Sequence, residues 1–127
     1  MCGIYGLVAL RDGVGCDPAL LKAMGELSRH RGPDDEGQYV DQGLVMGMRR
    51  LSIIDLNSGH QPIGNTDETI WTVCNGEIYN FREIREELQR QGVRFRTASD
   101  TEVLVHLYER HGTDFVSRLM GMFGFAI

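Results

Sequence analysis

Cys2-Gly3-Ile4-Tyr5-Gly6-Leu7-Val8-Ala9-Leu10 is the stretch on which the fold turns. From Gly3 to Leu10 it is nearly all apolar and holds two glycines, the composition of a strand buried on both faces. Chain termini usually fray unless something ties them down, yet here a core strand is expected one residue after Cys2. Removal of Met1 would make Cys2 the first residue, with a thiol and a free α-amine on the same carbon. A thiolate attacks carbonyl carbon, and an α-amine with a pKa of about 7.7 to 8.0 handles protons near neutral pH. Nucleophile and base would then be one residue, and a form keeping Met1 is expected to be inactive. The plainer alternative is a small apolar residue heading a buried strand, since free cysteines are often buried.

Outward from that strand, Leu20, Leu21, Met24 and Leu27 recur at helical spacing between Pro18 and His30, with Pro18 suited to a first turn. Arg31-Gly32-Pro33-Asp34-Asp35 has loop chemistry. Gly37 to Val40 and Leu44 to Leu51 read as a hairpin through Asp41-Gln42-Gly43. Asn57-Ser58-Gly59-His60-Gln61-Pro62 is a loop by composition, and Ile70-Trp71-Thr72-Val73-Cys74 is a strand by its β-formers, delivering the chain to Asn75. Two capping boxes, Asn80-Phe81-Arg82-Glu83 and Ser99-Asp100-Thr101-Glu102, are expected to open helices. Ile84 and Leu88 extend the stripe of the first, and Val103, Leu104, Leu107 and Tyr108 form the inner face of the second. Gly92 and Gly112 follow their last turns. The final Gly121-Met122-Phe123-Gly124-Phe125-Ala126-Ile127 reads as a buried strand without its closing turn, so a truncated sequence is expected.

The 127 residues suffice for one domain with a core, and 42% hydrophobic against 24% charged residues is ordinary for a folded domain. Thirteen basic against eighteen acidic residues leave a formal charge of −5, which argues against a nucleic-acid partner. The sequence holds no apolar run of bilayer length and no signal-peptide pattern, so no membrane partner is expected and a cytoplasmic location follows by default. Cys2, Cys16 and Cys74 form an odd set with no close pair, which suggests neither a disulfide framework nor a zinc site. Cys16 and Cys74 are read as structural. His30 and His60 fall in loops and His106 and His111 on or near a helix, so no metal site is assigned.

Five motifs occur in order: Met1-Cys2-Gly3-Ile4-Tyr5-Gly6, His30-Arg31-Gly32-Pro33-Asp34, Arg50-Leu51-Ser52-Ile53-Ile54-Asp55, Asn75-Gly76-Glu77-Ile78-Tyr79-Asn80 and Ser99-Asp100-Thr101-Glu102. Together they strongly resemble the class II glutamine amidotransferases, and most closely the asparagine-synthetase branch. The resemblance implies an α+β fold of the N-terminal-nucleophile type, a four-layer αββα sandwich of two stacked antiparallel sheets. One glutaminase domain over residues 1–127 is expected, lacking its final part and the synthetase domain.

By the same resemblance Cys2 would attack the side-chain amide carbon of L-glutamine, release ammonia and leave a glutamyl thioester for water. Asn75 and Gly76 match the oxyanion hole, whose donors are worth roughly 3 to 4 kcal/mol apiece. Arg50 matches the residue gripping the α-carboxylate, a task suited to a planar fork of donors. Leu51, Ser52, Ile53 and Ile54 would line the pocket, and Glu77 and Asp100 would receive the α-ammonium. Each has a plainer reading: a hairpin turn for Asn75-Gly76, a helix-dipole charge for Asp100, a solvated strand residue for Arg49 or Arg50. The ordered set favours the functional reading for all but Arg49. Met48 departs from the histidine that the family often carries before Arg-Arg-Leu-Ser.

No cofactor is expected within these residues, since ATP and magnesium belong to a synthetase domain outside them. That domain and L-glutamine are the expected partners, and a homodimer is left open. Two other readings stay open: another class II amidotransferase with a different ammonia acceptor, and a non-catalytic module that kept the fold.

Overall fold

The computed structural model describes residues 2–11, 15–51 and 59–127. Along the chain run β1 (Gly3–Val8), α1 (Pro18–Leu27), β2 (Asp35–Asp41), β3 (Leu44–Arg50), β4 (Ile63–Gly64), β5 (Trp71–Ile78), α2 (Phe81–Arg90), α3 (Glu102–His111), a 3-10 helix (Gly112–Arg118) and β6 (Gly121–Ala126). The strands make two antiparallel sheets, ordered β1-β3-β2 and β4-β5-β6.

Side-chain alternation sorts these elements into layers, because successive strand residues point to opposite faces. On β3, Met46 and Met48 are buried with Val73 of β5, and Cys2 and Ile4 pack against that cluster. That face lies between the sheets. Arg49 points the other way, where its guanidinium meets Glu26 at 2.7 Å and Glu36 at 2.9 Å and its Nε donates to the Gly25 carbonyl at 3.0 Å. Helix α1 therefore covers the outer face of the first sheet. On β5, Cys74 and Ile78 belong to a second cluster with Ile84 and Leu88 of α2, Val103, Leu104 and Leu107 of α3, and Phe115. The order of layers is α1, sheet, sheet, α2 with α3, the αββα sandwich expected from the motifs. Phe115 is 1% exposed and edge-on to Tyr108, with centroids 5.9 Å apart, and its loss would cost about 3 to 5 kcal/mol.

Several local expectations are corrected. The first strand is not buried on both faces: Val8 is 65% and Leu10, beyond its end, 94% exposed. Among the described residues β1 pairs with β3 alone, and β3, between β1 and β2, carries the burial. Helix α1 keeps Leu21 inside but leaves Leu20 and Leu27 exposed, and Met122 of β6 is exposed as well. Strand β5 does not end at Cys74 but runs on through Asn75 and Gly76 to Ile78, because β6 supplies a partner along that length.

Neither capping box forms. Asn80 makes no cap bond to α2; its amide donates to the Arg118 carbonyl at 2.9 Å and accepts from the Met120 N–H at 2.9 Å, tying α2 to the start of β6. Ser99 accepts from the Thr101 N–H at 3.2 Å, and Glu102 reaches back past it. Among the described residues, no helix is long and apolar enough to cross a membrane.

Candidate active site

Between the open ends of the two sheets lies a cleft of about 440 Å³, within the range of small-molecule sites. Cys2, Arg50, Leu51, Asn75, Gly76, Glu77 and Asp100 all line it. These residues come from four separate segments, and each arrives for a local reason. Cys2 precedes β1 on the inward face that Ile4 continues. Its Sγ accepts the Leu51 N–H at 3.3 Å and lies 3.6 Å from the Leu51 carbonyl, while its own carbonyl accepts from Arg31 Nε at 3.1 Å. The thiol is thus held at the end of β3 by main-chain contacts, half-buried. Arg50 shares the inward parity of Met46 and Met48 and is buried at the cleft, whereas Arg49 is committed to α1. Met48 is buried in the layer between the sheets.

Asn75 shares its strand face with Val73, which packs with Cys2, so its side chain is directed to the gap between the sheets. Gly76 is paired with Phe123 at φ +131°, and a Cβ there would overlap the Met122 carbonyl oxygen. Only glycine fits this backbone conformation and this approach. The pair is therefore a strand segment and not a hairpin turn. Glu77 is exposed at the rim.

Asp100 is not a residue of the first turn of α3. It precedes the helix, is buried, and accepts the Ile78 N–H at 2.8 Å through Oδ2, with the Ser99 hydroxyl 3.5 Å from Oδ1. Its loop is held from behind by Glu102, 1% exposed, whose carboxylate accepts the Arg96 N–H, the Thr97 N–H and the Thr97 hydroxyl, each at 2.7 Å. Burial pushes the Glu102 carboxyl up, but His106 and these donors outweigh it and bring it down to about 2. His106 Nε2 stands 3.6 Å from Glu102 Oε1, beyond hydrogen-bond length.

Ser52, Ile53 and Ile54 lie outside the described residues. Cys74 is buried in β5, and burial, with Asp100 and Cys2 nearby, pushes its thiol up to about 12, which makes it inert as a nucleophile. Cys16 is half-buried, with its Sγ 3.6 Å from the Leu7 carbonyl. Among the described residues, no group of three His, Cys, Asp or Glu side chains is placed to hold a metal ion.

Four polar residues of the cleft, Gln61, Tyr79, Ser99 and Thr101, receive no role from the sequence; the last three stand in the five motifs, and Gln61 lies outside them. A single amide inside a Gly- and Pro-containing loop has no periodicity to reveal it. Its partners lie 13 and 40 positions away.

Residues 1–127 match the family model described as glutamine amidotransferase domain. The chain belongs to this family. The amidotransferase domain is 49% identical over 108 residues to asparagine synthetase (glutamine-hydrolyzing) 1 of Bacillus subtilis (strain 168), covering 85% of this chain and 17% of that protein. It is 42% identical over 127 residues to asparagine synthetase (glutamine-hydrolyzing) 3 of Arabidopsis thaliana, covering 100% of this chain and 22% of that one. It thus spans about a fifth of the length of these curated relatives. Among solved structures, the glutamine phosphoribosylpyrophosphate amidotransferase of B. subtilis, complexed with ADP and GMP, superposes with a TM-score of 0.73 at 20% identity. That match covers 96% of this chain and 34% of the other, and at this identity it carries the fold alone. A structure of the allosteric regulatory enzyme of purine biosynthesis gives a TM-score of 0.55 at 28% identity over 68% of this chain and 21% of that one.

Proposed function

We propose that this domain hydrolyses L-glutamine to glutamate and ammonia through a thioester on Cys2. Once Met1 is removed, the α-amine takes the thiol proton and the thiolate attacks the side-chain amide carbon. The C–N bond then breaks, the leaving nitrogen takes that proton and departs as ammonia. Water cleaves the thioester, returning the thiol and glutamate. The Asn75 side chain and the Gly76 N–H serve the oxyanion in both halves, the kind of preorganised donor pair that stabilises developing charge. Arg50 takes the α-carboxylate, Asp100 and Glu77 the α-ammonium, and Leu51 with Ser52, Ile53 and Ile54 the walls.

The observation that carries this reading is the convergence of Cys2, Arg50, Asn75, Gly76 and Asp100 from four segments on one cleft. A buried carboxylate and a buried guanidinium at one mouth suit a zwitterionic amino acid, and the thiol lies beside the strand that bears the oxyanion donors.

In the whole protein, the ammonia would serve ATP-dependent conversion of aspartate to asparagine. Support comes from the two asparagine synthetases matched at 42% and 49% identity. ATP and magnesium would be held by that synthetase part, and the glutaminase step needs no cofactor. The half-buried free thiols of Cys2 and Cys16 fit a reducing compartment, and we assign the cytoplasm. The test is ammonia release from glutamine by the full-length protein and its Cys2→Ala variant. The variant is expected to lose the activity; equal turnover without the thiol would end the proposal.

A further inference from the structure

β4 covers β5 only at Trp71 and Thr72. Two residues further along, the main-chain groups of Cys74 on that strand edge are taken by a side chain instead. Gln61 Oε1 accepts the Cys74 N–H at 2.7 Å, and Gln61 Nε2 lies within donating distance, 3.3 Å, of the Cys74 carbonyl. The same Nε2 lies 3.3 Å from the Thr101 hydroxyl. Gln61 is 6% exposed and Thr101 2%. One carboxamide thus completes the β5 edge as a strand partner would and bridges it to the residue before α3.

The position of Gln61 is itself held from the first sheet. A Cβ on Gly37 of β2 would overlap the Gln61 carbonyl, so the absence of a side chain there lets the loop settle against the strand. Next to it, His60 Nδ1 meets Asp35 Oδ2 of β2 at 2.8 Å. His60 and Gln61 are therefore held to one sheet by the His60–Asp35 contact, with the Gln61 backbone close against Gly37, and to the other by the Gln61 amide.

What makes this more than packing is which residues are joined. Cys74 immediately precedes Asn75 and Gly76, and Thr101 immediately follows Asp100. We propose that Gln61 is a positioning residue of the glutaminase site, setting the oxyanion donors on β5 in register with the carboxylate that receives the substrate ammonium. The assignment rests on the glutaminase reading above. Its arm to Cys74 acts on the transition state, through the strand bearing Asn75. Its arm to Thr101 acts on substrate binding, through the loop bearing Asp100. A buried N–H left without its acceptor forces the local backbone to move or to stay unsatisfied, so replacing the amide by an apolar chain of similar length disturbs both.

The experiment is steady-state glutamine hydrolysis by the full-length protein carrying Gln61→Met or Thr101→Val, with turnover expressed per active site titrated by a glutamine-mimicking electrophile, beside Cys2→Ala, which has no thiol to titrate and is expressed per mole of protein shown to be folded by circular dichroism. Gln61→Met is expected to lower kcat and raise KM, with a combined loss in kcat/KM of about 10- to 100-fold. Thr101→Val removes only one arm and is expected to raise KM while kcat stays within about twofold. A folded Gln61→Met protein whose kcat and KM both stay within about twofold of the parent overturns the proposal. If that variant does not fold, an unchanged KM in Thr101→Val overturns it instead. Cys2→Ala separates the two ideas: activity surviving there removes the glutaminase reading, whereas its loss beside an unaffected Gln61→Met removes only the role of Gln61.

Discussion

Glu102 is the buried acid whose replacement the structure makes most quantitative. Its carboxyl stands at about 2 against an ordinary 4.5. As pH falls, the unfolded chain takes up this proton first, below about 4.5, while the folded chain resists until about 2. The stabilisation is therefore whole above the upper value and gone below the lower one. The drop from 4.5 to about 2, at about 1.36 kcal/mol per pH unit, corresponds to about 3 kcal/mol. Glu102→Gln keeps the shape but sets an N–H₂ against the N–H and hydroxyl donors of Arg96 and Thr97. Equilibrium urea unfolding of parent and variant should differ by about 3 kcal/mol near neutral pH, and the gap should close as pH approaches about 2. A gap of the same size at both ends of the range would refute the reasoning, because the cost would then come from shape and not from charge.

Two further substitutions probe the site and its frame. Gly76→Ala places a Cβ on the Met122 carbonyl at φ +131° and should cost about 1 to 3 kcal/mol. It should also depress glutamine turnover at unchanged Cys2; unfolding curves and ammonia assays that match the parent would contradict the strand geometry. Arg49→Met leaves Glu26 and Glu36 facing each other without their cation and strips the Gly25 carbonyl of its donor. Because both acids are partly exposed, the cost should be about 1 to 3 kcal/mol. A change below about 0.5 kcal/mol in urea unfolding would mean that α1 is held by its apolar contacts alone.

The sequence made the β2–β3 hairpin, three helices and the five motifs legible because each has a local signature: alternation, helical spacing, or residues whose chemistry is specific. What it hid depends on partners far along the chain. β5 extends past Cys74 only because β6 pairs with it, and Asn75-Gly76 resembles a turn until that partner is known. The spacing of Ser99 and Glu102 suggests a capping box, but the Glu102 carboxylate finds three donors at Arg96 and Thr97 instead. The apolar run 3–10 suggested burial on both faces; among the described residues that strand pairs with β3 alone and β3 carries the burial, and no local pattern reports strand order. Asp100 and Arg50 stood out as residues, yet their convergence with Cys2 on one cleft emerges only from the packing of two sheets.

The central claim is that the reactive nucleophile is the thiol of a residue that becomes the chain's first. Peptide mass spectrometry of the full-length protein after treatment with a glutamine-mimicking electrophile tests it directly. The account predicts one adduct, on Cys2, in an N-terminal peptide that has lost Met1, with Cys74 unlabelled because burial holds its thiol at about 12. An adduct carried by Cys16 or Cys74, or one on Cys2 in a peptide that still begins with Met1, would contradict it.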